Sequence, residues 1–167
     1  MGHIVSRLPW CDIDINTTSG HVFLQQKWNY SWLTKPGGGT WTPTEKTAFH
    51  NRADTYIWAA WSNRVTLGVS GASDFTRRFA AKGVSLNLDI RRVTANEHWN
   101  VNVKKILSSD FERSNVLWNS RVINFDTNDF KTKPSCSGTP RVCQNQTTVV
   151  HEFGHAVGNT WRLNRGD

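Results

Sequence analysis

An α+β domain is the fold class this sequence predicts, and three observations predict it. A well-capped helical segment begins at residue 42, segments between residues 84 and 125 alternate apolar and polar side chains, and a second helical stretch follows residue 147. The chain has 167 residues, enough for one domain with a real core. Within it we expect an irregular, Trp-rich N-terminal arm over residues 1–41 and a catalytic domain over residues 42–167.

The arm is read from its turn formers and aromatics. It packs through Trp10, Trp28 and Trp32 and ends at the break Lys35-Pro36-Gly37-Gly38-Gly39-Thr40. Thr42 then stands as N-cap, Pro43 at the first helical position and Glu45 three residues after the cap, which together make a capping box. Phe49, Ala53, Tyr56, Ile57, Ala60 and Trp61 recur at helical spacing, so a long helix runs from about Pro43 to Arg64 with one buried face. A Gly-Ser turn at Gly68 to Ser73 follows, then a short segment without a clear period. Val84, Leu86, Leu88 and Ile90 alternate with polar residues, as do Trp99, Val101 and Val103, and a third strand is expected from about Val116 to Phe125. The sheet is therefore expected to have three to four strands. Val149, Val150, Phe153, Ala156 and Val157 give the last helix its apolar face, with Gly158-Asn159 as its stop.

Bulk composition narrows the function classes. Hydrophobic content of 37% with 20% charged residues is ordinary for a globular domain, and nothing reads as a membrane span or as the apolar core of a signal peptide. The excess of 20 basic over 13 acidic residues gives a formal charge of +7. These cations are scattered, clustering only as Arg77-Arg78, Arg91-Arg92 and Lys104-Lys105. A solvated basic surface is the better reading, and nucleic acid is disfavoured as a partner. Cys136 and Cys143 lie in a turn-rich stretch where a small disulfide loop fits, which leaves Cys11 over. If oxidised, that loop places the working compartment outside the cytosol. His50 and His98 are read as exposed or capping side chains.

The chemistry is concentrated in His151-Glu152-Phe153-Gly154-His155. Four residues apart on a helix, the two histidines project from one face and can offer two imidazole nitrogens to one Zn²⁺. Glu152, beside the first of them, is placed to act as general base on water that the metal acidifies. Catalytic residue Glu152, metal ligands His151 and His155, and the cofactor Zn²⁺ follow from that spacing.

The stretch from His151 to Asn159 resembles the His-Glu-x-x-His-x-x-Gly signature of metzincin-like zinc peptidases, and the wording His-Glu-Phe-Gly-His resembles metallopeptidase toxin domains of bacterial polymorphic toxins and type VI secretion spike effectors. The resemblance implies a zincin-like fold: a long N-terminal helix, a sheet, and a C-terminal zinc-binding helix. It further implies a zinc metalloendopeptidase acting on a polypeptide substrate. Such a domain would be a secreted or delivered effector working in a target-cell periplasm or extracellularly, with a cognate immunity protein as partner. Metzincins place a third ligand three residues after the Gly, where this chain has Trp161, and their methionine turn has no counterpart, since the only Met is Met1. Two alternatives stand for the third ligand: Asp167, or a residue beyond position 167, the catalytic domain then being truncated at its C-terminus. The rival from another class is a non-catalytic, toxin-like binding module whose metal site is structural or vestigial.

Overall fold

The structure is a computed structural model that describes residues 2–137, 140 and 142–158. In chain order the elements are β1 (His3–Leu8), β2 (Cys11–Asn16), β3 (His21–Thr34), α1 (Pro43–Trp61), β4 (Val65–Leu67), α2 (Asp74–Phe79), β5 (Val84–Val93), β6 (Trp99–Lys105), β7 (Asn115–Leu117), β8 (Val122–Asp126), β9 (Thr132–Ser137), β10 (Val142–Thr147) and α3 (Thr148–Gly158).

The zincin-like α+β expectation, with a long N-terminal helix over three to four strands, is overturned. Eight strands share one sheet, three of them precede the first helix, and the chain is mixed α/β. The irregular arm expected over residues 1–41 is instead β1, β2 and β3, and β3 is the hub of the sheet. Its even-numbered residues Val22, Leu24, Gln26, Trp28, Tyr30 and Trp32 face the helices. The period of 2 was therefore present, but Gln26 interrupts its apolar run. The amide is fully buried because both its ends are used: Nε2 donates to Ala156 O at 2.8 Å and Oε1 accepts from Trp28 Nε1 at 3.0 Å.

Fourteen residues long, β3 has room for three partners. β5 runs parallel to His21–Asn29 on one edge. The other edge is shared by antiparallel β2 along His21–Gln25 and by parallel β6 along Trp28–Thr34. His98 marks the handover, its backbone N–H donating to Lys27 O while its ring Nδ1 accepts from Lys27 N, each at 2.9 Å. Because β5 ends level with the start of β6, the short link between them joins two parallel strands without a crossover helix. The third strand expected from Val116 to Phe125 divides into β7 and β8, paired antiparallel around a turn in which Arg121 takes φ +52°. The segment without a clear period contains α2, capped by Ser73.

Helix α1 begins at Pro43 behind its capping box, with Thr42 Oγ1 accepting from Glu45 N and the Glu45 carboxylate accepting from Thr42 N. Phe49, Ala53 and Ile57 of α1 and Val149, Phe153 and Ala156 of α3 close the core against Trp28, Leu88, Val101 and Ile123. The opposite face of the sheet carries Gln25, Lys27, Asn29, Asp89, Asn100, Asn102 and Asn124, the polar half of the alternation. No helix among the described residues is long and apolar enough to cross a membrane. Outside the main sheet, β9 and β10 form a hairpin whose opposed residues Cys136 and Cys143 are disulfide-bonded, and its second strand leads directly into α3. Cys11 is buried and free, and burial pushes its thiol pKa up to about 11.

Candidate metal centre

Helix α3 is fixed in place by side-chain donors from β3, from the end of α1 and from the turn between β7 and β8. Trp61 Nε1 at the end of α1 donates to Val150 O at 3.2 Å, Trp118 Nε1 donates to His155 O at 2.9 Å, and Gln26 donates to Ala156 O. His155 and Ala156 lie in the last turn of the described helix, so two of these three bonds reach carbonyls near its C-terminal end. Trp118 is held in turn by Trp99 and Trp10, with ring centroids 5.1 and 6.3 Å away. At the other end of the helix, Val149 N donates to Asp129 O.

Gly154, inside the His-Glu-x-x-His motif, makes the closest of these approaches. A Cβ at that position would stand 2.7 Å from Trp61 Cζ2, so the absence of a side chain there lets α1 and α3 meet. The sequence marks this contact only by a glycine in a helix interior. Trp118, Gln26 and Asp129 had no mark at all, because they reach α3 from distant stretches of chain.

On this helix His151 is exposed and His155 half-buried, with their Nε2 atoms 3.1 Å apart. Two nitrogens each 2.0–2.1 Å from one tetrahedral Zn²⁺ stand roughly 3.3 Å apart, so the pair has the separation of a two-nitrogen zinc bite. An imidazole hydrogen bond spans the same distance. Glu152 follows about 60° around the helix from His155 and is 8% exposed. Burial, reinforced by the nearby Asp129 carboxyl, lifts its pKa to about 7, with Arg113 acting in the opposite direction. Asp129 is itself raised to about 6 by burial, although its carboxylate accepts from Ser114 Oγ and from Asp126 N.

On α3 the exposed His151 and the half-buried His155 thus share one face, while Glu152, next to His151 in the chain, is buried on the side of the helix that meets the core. Asp167, expected as third ligand, and Trp161 lie outside the described residues. Among the described residues no group of three or more His, Cys, Asp or Glu side chains could hold a metal ion. The donor chemistry of His151 and His155 fits zinc at two positions, and among the described residues no third ligand joins them. His50 does not join the site; it is half-buried, with Nδ1 3.0 Å from the Tyr30 hydroxyl. His98 is buried at the Lys27 junction, its Nδ1 accepting from Lys27 N and its Nε2 3.5 Å from Asp12 Oδ1.

Compared with known proteins, the chain matches no family model, no curated protein and no solved structure. The site must therefore be read from its own residues.

Proposed function

We propose that this chain is a zinc-dependent hydrolase of peptide bonds, with His151 and His155 as metal ligands and Glu152 as general base. The observation that supports it most directly is the 3.1 Å convergence of two imidazole nitrogens on a helix that also carries a buried carboxyl one residue from the first of them. Zinc bound there supplies Lewis acidity towards a carbonyl oxygen and makes water a stronger acid. Glu152 accepts the proton of the attacking water and returns it to the departing amine. Its buried position favours that work, since a carboxylate taken out of water is a stronger base than an exposed one. Trp61, Trp118 and Gln26 hold the backbone of α3, so the three side chains keep one spacing. The motif's resemblance to secreted metallopeptidase toxins supports a polypeptide substrate, delivery as an effector and a cognate immunity protein.

The test begins with zinc stoichiometry after exhaustive dialysis. One zinc per chain in the wild type and none in His155→Ala is the expected result, with weakened retention in Asp167→Ala if that carboxylate is the third ligand. Glu152→Gln should keep the metal and lose peptide hydrolysis by about 10²-fold or more. Absence of zinc from the wild type, or full activity in Glu152→Gln, would refute the mechanism. Zinc retained with no hydrolysis by the wild type would leave the binding-module reading in its place.

A further inference from the structure

At the carboxyl end of the parallel strands β3, β6 and β8, the link between β6 and β7 forms a loop over residues 106–114 with an unusual surface. Phe111 is 72% exposed and Leu107 is 47% exposed, and Leu33 at the end of β3 is 43% exposed on the same end of the sheet. The loop is ordered by its own backbone and by its neighbours. Asp110 N donates to Leu107 O, and Asn128 Nδ2 donates to both Leu107 O and Asp110 O. Its apolar tips are therefore held outward by a fixed frame.

Two lysines flank those tips. Lys131 Nζ donates to Ser108 O at 2.6 Å, and Lys133 Nζ sits 5.0 Å from the centre of the Phe111 ring. Neither lysine has an ion-pair partner among the described residues, whereas Lys35 and Lys104 are paired with Asp110 and Glu112, and Lys105 with Glu45. Two lysines without an ion-pair contact among the described residues thus stand against the loop that carries the most exposed aromatic side chain of the described residues, Lys133 also lying within electrostatic range of Asp126 and Asp129. Exposed apolar tips flanked by lysines are complementary to one kind of surface: hydrocarbon beneath a layer of negative headgroups. A polyanion in water would use the lysines but would gain nothing from Leu107 or Leu33.

We propose that the 106–114 loop is a peripheral membrane-docking surface, in which Phe111 and Leu107 enter the headgroup region of an anionic bilayer while Lys131 and Lys133 engage its charge. Its apolar tips and the two lysines are not among the proposed metal ligands, although Arg113 and Ser114 of the same loop lie beside Glu152 and Asp129.

The experiment is co-sedimentation of the full chain with vesicles of phosphatidylcholine alone and of phosphatidylcholine mixed with phosphatidylserine. Binding is expected only to the mixed vesicles, and it should fall steeply between about 0.1 M and about 1 M salt as the Debye length contracts from about 10 to about 3 Å. Leu107→Ser/Phe111→Ser and Lys131→Ala/Lys133→Ala should each weaken it at least about tenfold. Both pairs are exposed, so thermal melts should match the wild type. Three results would overturn the proposal: no binding to anionic vesicles, binding that the Leu107→Ser/Phe111→Ser change leaves intact, or single-stranded oligonucleotide binding that depends on Phe111 while vesicle binding is absent.

Discussion

Placing a methyl group on Gly154 tests whether the motif helix is held by its contact with α1. The new Cβ would lie 2.7 Å from Trp61 Cζ2 and 3.2 Å from Cη2, so the indole must retreat by about 0.7 Å to reach ordinary contact. A shift of that size carries Nε1 out of reach of Val150 O, now 3.2 Å away. The lost hydrogen bond costs about 1 kcal/mol and the overpacking about 1–3 kcal/mol. Replacing a helix-interior glycine by alanine returns about 1 kcal/mol. The balance is a net loss of about 1–3 kcal/mol for Gly154→Ala. Urea denaturation of the metal-free protein measures it, and the decisive comparison is the same change in a Trp61→Leu background, where the obstacle is gone. There Gly154→Ala should be neutral or stabilising by up to about 1 kcal/mol. Stabilisation by Gly154→Ala in the wild type, or an equal loss in both backgrounds, would refute this account of how α3 is positioned.

Thr42→Ala removes the side-chain acceptor of the α1 capping box and should cost about 1 kcal/mol in the same urea experiment, with Thr42→Ser close to wild type. Trp118→Phe keeps an aromatic ring against Trp99 but deletes the donor to His155 O; we expect a loss of about 1 kcal/mol and weaker zinc retention, read by competition with a chelator. Asp54 and Asp129 have pKa values raised to about 6, by burial in both and for Asp54 also by the adjacent Asp89 carboxyl. The unfolded chain releases those protons near pH 4, so the folded state holds more protons between about pH 4 and 6. Their contribution to stability is complete below pH 4 and is lost as pH rises through 6. Asp54→Asn and Asp129→Asn should each flatten that decline in denaturation midpoints measured across the range, and an unchanged slope in both would refute the assignment.

Local signals and long-range decisions separate cleanly in this molecule. The capping box at Thr42 and the period of Phe49, Ala53 and Ile57 placed the start of α1 at Pro43, because both signals act within a few turns of backbone, while its end at Trp61 falls three residues before the expected Arg64. The alternation of Val84 to Ile90 and of Trp99 to Val103 placed β5 and β6 for the same reason. The first forty residues failed as a reading because β3 mixes Gln26 and several aromatics into its core face. A buried glutamine makes sense only once Trp28 and the last turn of α3 are seen to use both ends of its amide. Sheet size was likewise out of reach. Nothing in β3 itself announces that its two edges serve β2, β5 and β6, since pairing is a choice among partners far apart in the chain.

The sequence by itself determined the chemical vocabulary of the candidate site: two histidines one helical turn apart with a glutamate between them, a spacing that any α-helix converts into a shared face. Tertiary structure alone decided the environment of those groups. It buried Glu152 near Asp129 while leaving His151 in solvent, and it tied α3 to Trp61, Trp118 and Gln26. The physical reason is that helical spacing is set by backbone hydrogen bonds four residues apart. Burial, charge and anchoring are set by side chains that arrive from residues 26, 61, 118 and 129, and only the assembled tertiary fold brings these to one helix.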